Sequence, residues 1–195
     1  FKEFEDCIKL FSCFSKLEVN GNNIGLISNA GFETVGMADN VHDKIVIPSL
    51  KDETVEKIKH VYQKGRLKDI ANISNPLDIT PVANDWVYEQ CSKIFLETDY
   101  IDAIIVSIVP LSPANNTLAK NSVHKEDISR DDSLPSRLIR LYKTCKKPMI
   151  AVIDSGENYE PFAKMLQEAN IPVFRNADWA GKLMSSYMNY RIRKQ

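Results

Sequence analysis

Short apolar runs alternate along this chain with longer amphipathic stretches. The apolar runs are typical of strands buried on both faces, and they predict strands at 24–28, 44–47, 101–109, 148–153 and 171–174. The amphipathic stretches predict helices at 33–41, 85–96, 134–145, 159–169 and 178–190, and a further helix that Asp52 caps and Gly65 ends. Residues 67–73 are compatible with one more short strand. This alternation indicates βαβ units, so we predict a flavodoxin-like, doubly wound parallel sheet with helices on both faces.

The first residues follow a helical pattern of their own. Apolar side chains recur every three or four positions, at Phe4, Ile8, Phe11, Phe14 and Leu17. We therefore predict that residues 1–20 form a lead-in or linker helix and that residues 21–195 form the α/β domain. The apolar stripe is suited to packing on this domain or on another one.

Composition excludes several classes of protein. The chain is 44% hydrophobic, which is enough for a core, and its net charge of −1 provides no basic field for nucleic acid. No apolar run is long enough to span a bilayer. The chain begins with Phe1 in an amphipathic segment of mixed charge, unlike a signal peptide, so we expect a fragment of a longer polypeptide or a processed form of one.

The cysteines and histidines do not follow the spacing of metal ligands. Free thiols are the expected state of the four cysteines, which favours a reducing compartment, and we therefore expect a cytoplasmic protein. The three histidines lie far apart along the chain, so we predict no metal site. These residues are Cys7, Cys13, Cys91, Cys145, His42, His60 and His124.

The junction between the first strand and its helix carries the clearest candidate chemistry. The strand ends at Ser28, the small residues Asn29, Ala30 and Gly31 can make a tight turn, and a helical pattern follows. The first N–H groups of a helix lack intrahelical partners, and the helix dipole adds positive charge there, so this junction is suited to an anion. A plain turn without a ligand is the alternative.

Residues 110–133 interrupt the alternation with Pro, Asn, Ser and charged residues. A loop of this length is either functional or mobile, and both interpretations stay open. Because it follows the central strand, we expect it to overhang the same sheet edge as the turn at Ser28–Gly31. It contains His124, for which a solvent position is more usual than a catalytic one.

Several segments, in their order and spacing, resemble one family over residues 20–190. The family is that of the NDP-forming acyl-CoA synthetases, such as ADP-forming acetate–CoA ligase, which are related to succinyl-CoA synthetase. The resemblance is to the last flavodoxin-like domain of their fused or α-type chain. The segments that carry it are Gly-Asn-Asn-Ile-Gly-Leu-Ile-Ser-Asn-Ala-Gly at 21–31, Ser-Asn-Pro-Leu-Asp-Ile at 74–79, and residues 101–106, 147–152 and 170–174.

The resemblance implies a domain that does not act alone. Such enzymes convert an acid, CoA and ATP reversibly to acyl-CoA, ADP and phosphate, using Mg²⁺, through a histidine that carries the phosphoryl group. That histidine lies in a Ser-His-Thr-Gly motif of a neighbouring domain and has no counterpart here, so no catalytic residue is expected in this chain, which alone would be inactive. The implied partners are the CoA-binding and phosphohistidine domains of the same chain and an ATP-grasp domain or subunit.

The resemblance also implies which residues form the site. One helix N-terminus would hold the phosphate of the phosphohistidine, and a second loop would shape the edge of the active site. The implied phosphate-binding residues are Asn29, Ala30, Gly31, Phe32, Glu33 and Thr34, and those of the edge loop are Asn75, Pro76 and Asp78. Ordinary turn chemistry is the alternative role for the second set.

The turn departs from the family pattern, in which a second glycine and Pro-Gly are common. Phe32 limits the approach of a ligand, and Glu33 either opposes an anion or caps its own helix. Two alternatives therefore stay open. One is a non-catalytic regulatory or interaction domain, as in fused protein acetyltransferases, and the other is a free-standing flavin or nucleotide binder.

Overall fold

The computed structural model describes residues 1–17, 19–67 and 72–194. In this part of the chain, one parallel sheet has five strands, which are β1 (Ile24–Ser28), β2 (Leu77–Asp78), β3 (Ala103–Ile108), β4 (Met149–Ile153) and β5 (Val173–Phe174). The helices are α1 (Lys2–Cys13), α2 (Gly31–Asp39), α3 (Asp52–Lys64), α4 (Asp85–Glu97), α5 (Leu134–Thr144), α6 (Glu160–Glu168) and α7 (Ala177–Arg193), and one 3-10 turn covers Glu157–Tyr159.

The strand order is β2-β1-β3-β4-β5, and every neighbouring pair is parallel. This is the doubly wound, flavodoxin-like order, so the predicted fold class is confirmed. The chain moves outward from β1 to β2 and then crosses to the other side of β1 for β3. The point at which the winding changes direction therefore lies between β1 and β3.

Each face of the sheet has its own hydrophobic cluster. One cluster joins Ile27, Val106 and Ala151 to α3, α4, α5 and α6. The other joins Leu26, Ile105 and Val152 to α1, α2 and α7. Because neighbouring strand residues point to opposite faces and both faces are covered, β1, β3 and β4 are buried along their whole length.

The N-terminal helix packs on α7. The Phe11 and Phe14 rings lie 5.1 and 5.2 Å from the Tyr187 ring, and the Tyr187 hydroxyl donates to the Phe14 carbonyl at 3.0 Å. The predicted helix is confirmed but ends at Cys13, earlier than predicted. Phe4 and Ile8, which are 67% and 51% exposed, are the part of the stripe that the domain leaves uncovered.

Two local predictions were wrong. Residues 44–47 do not form a strand but run past β1 with an isolated bridge between Asn23 and Val46, and the second strand of the sheet is Leu77–Asp78. Lys51, not Asp52, is the N-cap residue of α3. Among the described residues, the Lys51 side chain makes no capping hydrogen bond to this helix. Asp52 lies in the first turn, where the helix dipole favours an acid. Most of the possible strand at 67–73 falls on residues 68–71, outside the described residues.

None of the helices in the described segments has the length and apolar character needed to cross a membrane.

Candidate functional site

A cleft of about 370 Å³ opens at the carboxyl ends of β1, β2 and β3. In doubly wound sheets this is where ligands bind, beside the change in winding direction. Each of the three strands contributes the turn that follows it. The lining residues are Asn29, Ala30, Gly31 and Phe32 after β1, Asp78, Thr80 and Pro81 at the end of β2, and Val109, Leu111 and Ser112 after β3.

The turn after β1 leaves two amides free at the start of α2. Ala30 is the N-cap residue, in an extended conformation, and its carbonyl accepts from the amides of Glu33 and Thr34 at 3.1 and 3.3 Å. The Ala30 amide donates to Ser28 Oγ at 3.2 Å. The amides of Gly31 and Phe32 have no hydrogen-bond partner among the described residues, so they can donate to a ligand beyond the helix end.

The side chain of Asn29 fastens the end of β1 to the end of β3. Its Nδ2 donates to the Val109 carbonyl at 2.9 Å, and its Oδ1 accepts from the Val109 amide at 3.0 Å. Both polar groups of the side chain are thus used within the domain. Asn29 therefore holds the floor of the cleft in place, and its predicted contact with a phosphate stays a prediction.

Asn75 and Asp78, at the two ends of the predicted edge loop, have different surroundings. The Asn75 side chain is turned to β1, where its Oδ1 accepts from the Leu26 amide at 3.0 Å and its Nδ2 donates to the Ile24 carbonyl at 2.9 Å. The same Nδ2 donates to the Pro48 carbonyl at 3.2 Å. Asn75 thus replaces the main chain of a neighbouring strand where residues 44–47 form none, which is a structural role.

Asp78 is the member of the edge loop that lines the cleft. Its Oδ1 accepts from the Thr80 amide at 2.9 Å, and a Cβ added to Gly31 would lie 3.2 Å from its Oδ2. The missing side chain at Gly31 lets this carboxylate approach the N-terminus of α2. An anion bound there would share the cleft with Asp78. Thr80 Oγ1 is also buried there and has no hydrogen-bond partner in the part of the chain that is described.

The Glu33 side chain neither lines the cleft nor caps α2. It is 2% exposed, and its Oε2 accepts a hydrogen bond from Ser107 Oγ on β3. Burial raises the pKa of Glu33 to about 7, the Ser107 hydrogen bond opposes this shift, and Asp154 and Asp178 add to it. The capping interpretation of Glu33 was wrong because its position in α2 turns the side chain down onto the sheet, whereas its effect on a bound anion stays a prediction.

The long loop overhangs the cleft, as predicted. Leu111 and Ser112 line it, and the Ser112 hydroxyl donates to the Pro81 carbonyl. Farther along, Asn115 Nδ2 and the Asn116 amide donate to the buried Asp85 carboxylate at the start of α4. The loop is therefore fastened to the domain, which argues against the disordered interpretation.

None of the described residues that line the cleft is a cysteine or a histidine. His124 contacts Asn121 in the loop, at 2.5 Å between their side-chain nitrogens. All four cysteines are free thiols. In residues 1–17, 19–67 and 72–194, no group of three or more His, Cys, Asp or Glu side chains could hold a metal ion.

Sequence reasoning missed the polar residues around Glu33. Ser107 lies in the otherwise apolar strand Ala-Ile-Ile-Val-Ser-Ile, and a buried hydroxyl in such a strand needs a partner. That exception in the pattern was the available signal. Asp154 and Asp178 come from the turn after β4 and from α7, and only the tertiary fold brings them to Glu33.

Comparisons with known proteins point to one group of enzymes. The α subunit of an ADP-forming acetate–CoA ligase II from Pyrococcus furiosus is 23% identical over 177 residues, which cover 89% of this chain and 35% of that protein. An ADP-forming acetate–CoA ligase from Methanocaldococcus jannaschii is 40% identical over 80 residues, covering 40% of this chain and 10% of that protein. No protein-family model matches the chain.

Solved structures share the fold over almost the whole chain. A dinucleotide-forming acetyl-coenzyme A synthetase 1 from Candidatus Korarchaeum cryptofilum, in complex with phosphate and ADP, matches with a TM-score of 0.77 at 19% identity, covering 97% of this chain and 38% of that one. A Pyrococcus horikoshii protein matches with a TM-score of 0.73 at 20% identity, over 97% of this chain and 40% of that one.

The resemblance to the NDP-forming acyl-CoA synthetases, predicted from the sequence, is confirmed by these relatives. The chain spans about a third of the length of the first relative and a tenth of the second.

Proposed function

We propose that this chain is a non-autonomous domain of an NDP-forming acyl-CoA synthetase, and that the N-terminus of α2 holds the phosphate of a phosphohistidine from a neighbouring domain. The observation that carries the proposal is the pair of free amides at Gly31 and Phe32, in the cleft where the winding direction changes. The similarity to ADP-forming acetate–CoA ligases supports it. The Korarchaeum relative binds phosphate and ADP, which is consistent with a phosphate ligand here.

The chemistry asked of this domain is placement and charge stabilisation. Phosphoryl transfer needs donors aimed at the phosphate oxygens more than it needs covalent help. Two helix N-terminal amides on a rigid sheet supply such donors, and the Asn29 bonds to Val109 keep the turn in position. The histidine, CoA, ATP or ADP, and Mg²⁺ would be held by the phosphohistidine, CoA-binding and ATP-grasp domains, in the cytoplasm.

Gly31→Pro tests this role, because it removes the Gly31 amide donor at a position where the backbone conformation is compatible with proline. Gly31 is the first residue of α2, its amide is unbonded, and Ala30 before it has φ −137° and ψ 123°, which proline tolerates. Gly31→Ala is the matched control, because it adds a Cβ beside Asp78 but keeps the amide.

The assay is ATP formation from acetyl-CoA, ADP and phosphate by the full multidomain enzyme that contains this domain. A hydrogen bond to a charged group contributes about 1.5–3 kcal/mol, so Gly31→Pro should lower the rate by roughly 10- to 100-fold relative to Gly31→Ala. Equal rates in the two variants, with equal thermal stability, would refute the proposed contact.

A second candidate, a non-catalytic regulatory or interaction domain, is favoured by the charge of the cleft. Among the described residues that line it there is no Lys or Arg, and Asp78 is acidic. Phe32, Val82 and Leu111 are exposed around it, as a protein-binding surface would require. On this alternative, Phe32→Ala with Leu111→Ala would abolish binding to the other domains, while Gly31→Pro would leave the reaction rate unchanged.

A further inference from the structure

Three large apolar side chains around the cleft are exposed. Phe32 and Leu111, which line it, are 66% and 72% exposed, and Val82, next to the lining residue Pro81, is 56% exposed. A single exposed apolar side chain is ordinary, but several around one concave site are typical of a surface that another molecule covers. Phe32, Val82 and Leu111, called the rim below, are therefore a candidate interaction surface.

The loop that carries Leu111 reverses the usual arrangement of polar and apolar side chains. The polar residues Ser112 and Asn115 are buried, whereas Leu111 is exposed. The Ser112 hydroxyl donates to the Pro81 carbonyl. Asn115 Nδ2 donates to the Ala83 carbonyl at 3.0 Å. These hydrogen bonds tie the loop to the chain that follows β2, so Leu111 is held exposed on a fixed backbone instead of packing into the domain.

The carboxylate of Asp78 has no cationic partner from the domain. Its Oδ1 accepts from the Thr80 amide at 2.9 Å, whereas Oδ2 accepts no hydrogen bond from the described residues. Those described residues that line the cleft include neither Lys nor Arg. The N-terminus of α2, beside Asp78, contributes only about half a positive charge, which does not balance a full carboxylate charge. The cleft is therefore complementary to a cation that comes from outside the domain.

We propose that a partner polypeptide completes the cleft by placing an arginine or lysine against Asp78 and large apolar side chains against the rim. A planar guanidinium can pair with the carboxylate and stack on the Phe32 ring, and arginine and apolar side chains are enriched at protein interfaces. A small organic cation would leave Val82, which lies outside the cleft lining, uncovered. This inference requires no anion at the N-terminus of α2, so it can fail or stand separately from the proposed function.

The probe is the tripeptide Leu-Arg-Leu with blocked ends, titrated into the 195-residue chain and followed by amide-resolved NMR. Leu-citrulline-Leu has nearly the same shape without the charge, and Leu-Glu-Leu reverses the charge. Asp78→Asn removes the negative charge but keeps an oxygen that can accept from the Thr80 amide. Asp127→Asn is the matched control, because Asp127 Oδ1 accepts from the Ser129 amide at 3.0 Å in a similar turn that does not line the cleft.

The expected result is saturable binding at the cleft that depends on both the charge and the rim. The dissociation constant of Leu-Arg-Leu should rise roughly 10- to 100-fold in Asp78→Asn, and that of the citrulline peptide should be higher by a similar factor. Asp127→Asn should bind like the unmodified chain. Leu111→Ala should weaken binding by about threefold to tenfold, whereas Val123→Ala, which changes another exposed apolar residue of the same loop, should have no effect.

Several results would overturn the inference. Equal affinities for the arginine and citrulline peptides, tighter binding of Leu-Glu-Leu, or no saturable shift of the cleft amides with any peptide would refute the cation. If the cleft resonances change with the concentration of the chain in the absence of peptide, a second copy covers the rim and the proposed partner is wrong. A separate titration with inorganic phosphate decides the proposed function, whichever of these results is obtained.

Discussion

Replacing Asn75 with alanine should destabilise the domain strongly, because its side chain serves as the missing neighbour of β1. The substitution removes the acceptor of the Leu26 amide and the donor to the Ile24 carbonyl, both on a fully buried strand. Each buried main-chain group left without a partner costs about 1–3 kcal/mol. We therefore expect Asn75→Ala to lower the free energy of unfolding by about 2–5 kcal/mol, a large share of the 5–15 kcal/mol typical of a domain.

Urea unfolding followed by circular dichroism measures this loss directly. Asn22→Ala is the matched control, since it removes an amide that donates to the exposed Lys44 carbonyl and should cost less than about 1 kcal/mol. Asn75→Asp keeps the acceptor but loses the donor, so it should fall between the two unless its charge adds a further penalty. A loss for Asn75→Ala no larger than that for Asn22→Ala would refute the reasoning.

Two further predictions concern packing and titration. Gly181→Ala should cost about 1–3 kcal/mol in urea unfolding, because its Cβ would lie 2.7 Å from the Met37 carbonyl oxygen. Gly156→Ala, whose Cβ would have no atom of the described residues within 4 Å, should be nearly neutral. The pKa of Glu33 is raised from 4.5 to about 7, so its stabilising contribution is present below about pH 4.5 and is lost as pH rises through 7. The free energy of unfolding of Glu33→Gln, relative to that of the unmodified chain, should therefore rise by about 1–3 kcal/mol as the pH is raised from 5 to 8. A difference between the two proteins that does not change with pH would contradict the raised pKa of Glu33.

The central strands were predictable because a strand buried on both faces carries its own signal. The apolar runs at β1, β3 and β4 place these strands within about two residues, and the alternation with helices implies the parallel sheet. The edge beside β1 was not predictable. Val46 lies in an apolar run and makes one bridge, whereas the true strand has only Leu77 and Asp78, and a side-chain amide completes the pairing.

The candidate site was predictable as a place but not in its details. The pattern of small residues at 28–31 marks the turn, and the fold brings that turn to the cleft. The first residue of α2 determines which amides stay free, because the Ala30 carbonyl accepts hydrogen bonds from the amides of Glu33 and Thr34. The direction of the Glu33 side chain depends on how α2 packs on the sheet, and no local pattern contains that information.

The central claim is that the amides of Gly31 and Phe32 donate hydrogen bonds to a phosphoryl group. An amide-resolved NMR titration of the chain with inorganic phosphate tests this claim most directly. The claim predicts that these two amide resonances shift most and saturate together. The resonances of the Glu33 and Thr34 amides, which already donate to the Ala30 carbonyl, should shift less. Gly31→Pro should abolish the saturable shift, and Gly31→Ala should preserve it. Shifts that do not saturate, or that survive Gly31→Pro unchanged, would contradict it.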